Sequence, residues 1–158
     1  MSTLRTSIHR EDGQALAEFA LVLPILALLL FAMIHFGKAF NYWNTATHIT
    51  AEGARYAAVN SKPFPADATS LQAQLLAQLP VGELRNGGTD AVLTPARVCI
   101  DFPTGSTARG APVRVKMTFT YSWLPLIGNS IGEASSEVTS TSIMRLETAP
   151  TRIAAGCA

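Results

Sequence analysis

The sequence carries little charge of either sign. Its 158 residues include 12 lysines and arginines and 11 aspartates and glutamates, which leaves a formal net charge of +1 at pH 7. A chain without an excess of either charge has no electrostatic signature of binding to nucleic acid or to an acidic protein. We therefore expect no nucleic-acid partner.

Most short catalytic motifs are also missing. The sequence contains no H-E-x-x-H, P-loop or C-x-x-C pattern. Residues 128–132 do match G-x-S-x-G, but a predicted strand follows them, whereas the hydrolase motif lies between a strand and a helix. Its three histidines are not spaced as metal ligands, and the acids Glu83 and Asp101 have no evident partner. We expect neither an enzyme nor a bound metal or cofactor. An extracytoplasmic enzyme would need a clustered acid–base set, which only a structure could show.

A long apolar run contrasts with this background. Residues 19–36 contain no Asp, Glu, Lys or Arg, and as a helix they would reach roughly 27 Å, near the ~30 Å of bilayer hydrocarbon. The core of a secretory signal is usually shorter and ends at a small-x-small cleavage site, which is not evident after His35. The run predicts a retained transmembrane helix over about residues 17–37.

The basic residues around this run give its orientation. Arg5 and Arg10 precede it, whereas Lys38 follows it and the next basic residue is Arg55. The excess of basic residues on the N-terminal side favours a cytoplasmic N-terminus. We expect a cytoplasmic leader at residues 1–13, a helix at 14–60 and an extracytoplasmic domain at 61–158.

The helical pattern continues beyond the apolar run. Between Asn41 and Val59 apolar and small residues recur at helical spacing, which predicts a single helix of about 45 residues that ends before Pro63. Pro24 lacks a backbone donor and should kink the helix near Phe19.

The remainder predicts a small α+β domain. Asp67 or Thr69 can cap a short helix whose apolar face begins at Leu71. Strict alternation over residues 113–121 predicts a strand with a core face, and weaker patterns predict strands at 98–102 and 137–145. The expected fold class is α+β, with a long N-terminal transmembrane helix, a short helix and an antiparallel sheet of about three strands.

Two cysteines, Cys99 and Cys157, lie in the outer part of the chain. In an oxidising compartment they can form a disulfide that contributes up to ~4 kcal/mol. The alternative is a pair of unpaired thiols.

A single carboxylate, Glu18, stands at the entrance to the apolar run, five residues after Gly13. A carboxylate costs about 2.5–3.5 kcal/mol at the centre of a membrane helix and less near its end, so Glu18 can simply stay at the interface. If the chain were cut after Gly13, however, Gln14 would gain an ammonium group close to this acid.

The stretch from Gly13 to Phe19 resembles the cleavage region of prepilin-like proteins, in which a prepilin peptidase cuts after the glycine. Its continuation through residues 34–40 and 50–58 resembles the TadE-like family, minor pilin-like components of the tight-adherence (Tad/Flp) pilus and secretion machinery. One departure is His35, where many members carry an acid.

The resemblance implies a minor pilin or pseudopilin that is anchored once in the bacterial inner membrane. It implies processing between Gly13 and Gln14 and subunit association through Glu18. The implied partners are the lipid bilayer, prepilin peptidase, other pilin-like subunits and the Tad inner-membrane platform. An alternative that remains open is a signal-anchored envelope protein whose outer domain binds a ligand or a protein without forming a filament.

The segment Glu52-Gly53-Ala54-Arg55 lies on the outer part of the long helix. Glu52 and Arg55 are three residues apart and can pair along one face. Gly53 and the alanines that follow form a strip of small residues, which can pack on the chain's own sheet or against another subunit.

Overall fold

The computed structural model describes residues 11–61, 70–123 and 134–158. These form three helices and one antiparallel four-stranded sheet, so the predicted α+β class is confirmed with one strand more than expected. The chain divides into two compact units, Met1–Lys38 and Ala39–Ala158. In chain order the elements are α1 (Glu11–Ala58), α2 (Leu71–Ala77), α3 (Gly82–Asn86), β1 (Arg97–Asp101), β2 (Pro112–Ser122), β3 (Ser135–Arg145) and β4 (Gly156–Cys157).

The first unit exposes apolar side chains. Leu21 is 72% exposed, Leu28 62% and Met33 71%, and the most apolar stretch of α1 is long enough to cross a membrane. An apolar surface of this extent needs a non-aqueous or protein environment. The helix is continuous through Pro24, and the kink at that position stays a prediction.

The outer part of α1 supplies one side of the core of the second unit. Its buried residues Ala39, Tyr42, Ala46, Ile49 and Gly53 follow one another every three or four positions, which places them on one helix face. Small side chains dominate this face, so the helix backbone can come close to the elements that it covers.

Alternation in β2 provides the other side of the core. The side chains predicted to face inward are all at most 2% exposed, which confirms a packing role for this strand: Val113, Val115, Met117, Phe119 and Tyr121. The sheet order is β3-β2-β1-β4, and the register places Val115 opposite both Ile100 and Ser142.

Strand β4 was not predicted, and the disulfide was one of two predicted alternatives. Cys99 and Cys157 are directly opposite each other in β1 and β4 and are bonded, so the disulfide is confirmed. Beside them, Val98 and Ala158 exchange two backbone hydrogen bonds of 3.0 Å. The cysteines therefore occupy a pair without mutual backbone hydrogen bonds, where antiparallel strands come closest.

The short helices differ in detail from the prediction. Ser70 caps α2, because its side chain accepts a hydrogen bond of 3.2 Å from the backbone N–H of Ala73. The two predicted caps, Asp67 and Thr69, lie outside the described residues. Helix α3 was not predicted, and it places Leu84 in the core with no exposed surface.

Candidate functional site

The predicted processing residues lie near the beginning of α1. Gly13, Gln14 and Glu18 are exposed, and the side-chain N–H of Gln14 donates a hydrogen bond of 3.0 Å to the carboxylate of Glu18. Residues four apart in a helix share a face, so the Gly13–Gln14 bond and the Glu18 carboxylate lie about one turn apart. From the sequence, the only predicted partner of Glu18 was the ammonium group of a new N-terminus, and the side-chain amide of Gln14 was not predicted as a donor.

The Gly13–Gln14 peptide bond lies inside the helix, since α1 begins at Glu11 rather than at Gln14. Cleavage of this bond would therefore require local opening of the first helical turns. Gly13 makes such opening easier, because glycine in a helix is less favourable than alanine by about 1 kcal/mol.

The outer helix motif does not form the expected ion pair. Glu52 accepts a hydrogen bond of 2.8 Å from the hydroxyl of Tyr56, and among the described residues no salt bridge joins Glu52 to Arg55. The hydrogen bond to Glu52, with smaller contributions from burial and from the carboxylate charge, raises the pKa of Tyr56, and Arg55 opposes the shift. Glu52 and Arg55 both remain exposed.

Gly53 lies where α1 comes closest to its neighbours. A Cβ atom at this position would be 2.6 Å from Cδ1 of Leu75 and 3.2 Å from Cγ1 of Val115. Ala54 and Ala57 are fully buried beside it. The strip of small residues thus packs on the second unit of the same chain, which is the first of the two predicted alternatives.

Asp101 has a partner, contrary to the prediction. The guanidinium of Arg114, on the neighbouring strand, donates hydrogen bonds of 2.9 and 2.6 Å to its two carboxylate oxygens.

Two further polar contacts, at Tyr42 and at Thr50, were not predicted either. The hydroxyl of buried Tyr42 donates a hydrogen bond to the carboxylate of Glu83, so this acid does have a partner. Burial above all, followed by this bond and by the negative charge of Glu83, raises the pKa of Tyr42. The hydroxyls of Thr50 and Ser140 lie 3.0 Å apart in the core. Partners 41 and 90 residues apart leave no local signal in a sequence.

A groove borders the exposed side of the outer helix motif. It has a volume of about 700 Å³, and its lining includes His48, Glu52, Arg55, Tyr56 and Met144. Within residues 11–61, 70–123 and 134–158, no three His, Cys, Asp or Glu side chains form a group that could hold a metal ion.

Comparison with curated proteins and with solved structures finds no match. A comparison with protein families does find one. The segment concerned contains the Gly13–Gln14 bond, Glu18, the exposed apolar surface of α1 and the outer helix motif. Residues 13–55 match the family model of TadE-like proteins, so this segment of the chain is similar to that family.

Proposed function

We propose that the protein is a minor pilin-like subunit, or pseudopilin, of a Tad-type pilus or secretion system, and that it acts through association of its long helix with other subunits. The observation that carries the proposal is the position of the Gly13–Gln14 bond and Glu18 within one turn of each other, at the start of an exposed apolar helix. The family match over residues 13–55 supports it.

The first step in the proposed mechanism is insertion into the bacterial inner membrane with the N-terminus inside. A prepilin peptidase then removes residues 1–13 and leaves Gln14 as the new N-terminal residue. Before cleavage, the side-chain amide of Gln14 already donates to Glu18, so the carboxylate has one donor while the chain is a precursor.

Cleavage adds a positive charge next to this acid. The ammonium group of Gln14, from the same chain or from a neighbour, would lie close to Glu18 and offset the cost of moving the carboxylate into a bundle of membrane helices. An ion pair at this depth is stronger than the amide contact, because the ammonium group brings a full opposite charge that the neutral amide lacks.

The second unit then supplies contacts that start, cap or anchor the assembly, and it catalyses no reaction itself. The signal-anchored envelope protein remains the alternative. In that protein Glu18 would be an interfacial acid with no assembly role, and the leader would stay attached.

The mass of the protein extracted from its native membrane distinguishes these possibilities. We expect a chain that begins at Gln14. A chain that retains Met1, or one that has lost the whole apolar run, would count against the pilin proposal.

A second experiment addresses Glu18. Glu18→Ala should insert normally but fail to co-purify with the other pilin-like subunits. Glu11→Gln is the matched control, because this acid lies on the same helix but is removed with the leader. Normal assembly of Glu18→Ala would contradict the proposal.

A further inference from the structure

Aromatic rings connect the helix and the sheet at one end of the second unit. The ring of Tyr42 lies 6.5 Å from that of Phe119 and 5.9 Å from that of Tyr121, measured between centroids. Tyr121 in turn contacts Trp123 at 5.0 Å. Trp123, just after the end of β2, therefore lies at the same end of the unit as the first buried residues of α1.

Two further rings at this end face outward. Phe40 and Trp43 contact each other at 5.9 Å and are 58% and 47% exposed, and Trp123 is 36% exposed. Both tryptophans of the chain thus present apolar ring surface at this end. The indole N–H of Trp123 donates a hydrogen bond of 2.8 Å to Ser136 and so keeps a polar partner.

The chain is too short here to hold these rings far from a bilayer that contains the apolar run. Four residues separate Phe36 from Phe40, a span of at most about 14 Å when fully extended, and the rise of a helix gives only about 6 Å. The backbone of Trp43 follows at about 10 Å along the helix, and its ring lies nearer to the apolar run, because side chains on a helix point back toward the N-terminus. The interfacial layer of a bilayer is about 5–8 Å thick on each side.

We propose that this aromatic end of the second unit lies in the lipid headgroup layer, with Trp43 and Trp123 as its anchors. Tryptophan prefers this layer because its ring is apolar and its N–H is polar. The rings follow directly on the apolar run, and this continuity identifies the partner as the lipid surface rather than another protein. The inference does not depend on cleavage after Gly13.

Fluorescence quenching in vesicles tests the proposal. The full-length chain is reconstituted in phosphatidylethanolamine–phosphatidylglycerol vesicles as two single-tryptophan variants, Trp123→Phe and Trp43→Phe. In each variant we expect blue-shifted emission, strong quenching by a lipid that is spin-labelled at its headgroup, and weak quenching by aqueous iodide. Circular dichroism verifies that both variants are folded.

A reporter farther along the chain is the matched control. Val59→Trp, made in a chain that lacks both native tryptophans, places an indole at a position that is 41% exposed. It lies about 24 Å beyond Trp43 at the helical rise per residue. We expect several-fold weaker quenching by the headgroup label there than at either native position.

Equal quenching of the reporter and of either native tryptophan would overturn the proposal. Weak lipid quenching of Trp43 and Trp123 would do the same, because it would mean that the rings face water or another copy of the chain.

Discussion

Replacing Gly53 with alanine tests whether the outer helix is fixed on its own domain by close packing. The new Cβ atom would meet Cδ1 of Leu75 at 2.6 Å and Cγ1 of Val115 at 3.2 Å. Both neighbours are fully buried, so neither can turn into open space. Either the helix must move outward or the core must rearrange.

Two opposing effects determine how much Gly53→Ala changes the free energy of unfolding. Alanine is the better helix former by about 1 kcal/mol, whereas overpacking a core costs about 1–3 kcal/mol. We expect the Gly53→Ala variant to lose up to about 2 kcal/mol in the free energy of unfolding of the second unit. Hydrogen exchange of the full-length chain in detergent micelles measures this loss, since 1 kcal/mol corresponds to about fivefold faster exchange in the most protected strands.

Gly82→Ala serves as the control, because a Cβ atom at Gly82 has nothing within 4 Å. That variant should keep its protection. Combining Gly53→Ala with Leu75→Ala should show a smaller loss for the glycine change, because the second substitution removes the clashing methyl groups. The reasoning would be refuted if Gly53→Ala left hydrogen exchange unchanged but abolished subunit association. The strip of small residues at Gly53 would then contact another subunit rather than its own domain.

Three further predictions concern the second unit and use the full-length chain in micelles. Cys157→Ser removes the bond to Cys99 and should cost about 4 kcal/mol on the chain-entropy model, with a reducing agent affecting only the wild type in denaturant unfolding. The pKa of Tyr42 is higher in the folded state, so its stabilising effect is complete below the unfolded pKa of about 10 and is lost as the pH rises beyond it. Tyr42→Phe should flatten this alkaline decline in a pH series of melting curves, and an unchanged slope would contradict the assignment. Thr50→Val should cost about 1–3 kcal/mol by leaving the buried hydroxyl of Ser140 with a weaker set of partners, and adding Ser140→Ala should recover part of that loss in a double-mutant cycle.

The sequence was most informative where one period persists over many residues. The alternation over residues 113–121 identified the core face of β2, and the helical spacing after Asn41 identified the outer part of α1. Both patterns arise from local geometry, because each repeats the same step of the backbone.

Secondary-structure elements too short to show a repeating pattern of apolar residues were not predicted from the sequence. Strand β4 has only two residues and α3 only five, and neither length covers enough turns or alternations to be recognised. The fourth strand exists because Cys157 and the backbone of Ala158 meet β1, which is a long-range contact.

Side-chain partners were predicted least well. Glu52 has Arg55 three positions ahead and Tyr56 four positions ahead, and the rotamer that the structure adopts selects the tyrosine. Glu83 contacts Tyr42 only because the fold brings α3 next to the outer part of α1. The roles of Gly13, Gln14 and Glu18 stay predictions, since they concern a protease and neighbouring subunits.

The pairing of β1 with β4 has a consequence for biosynthesis. Cys157 follows Cys99 by 58 residues, so at a synthesis rate of about 5–20 residues per second the first thiol waits about 3–12 s before its mate has been made. Since the chain has two cysteines, any disulfide that forms in this interval must join Cys99 to another molecule. Oxidation that lags behind elongation therefore favours correct maturation, and any premature product should be detectable as a mixed disulfide on the nascent chain.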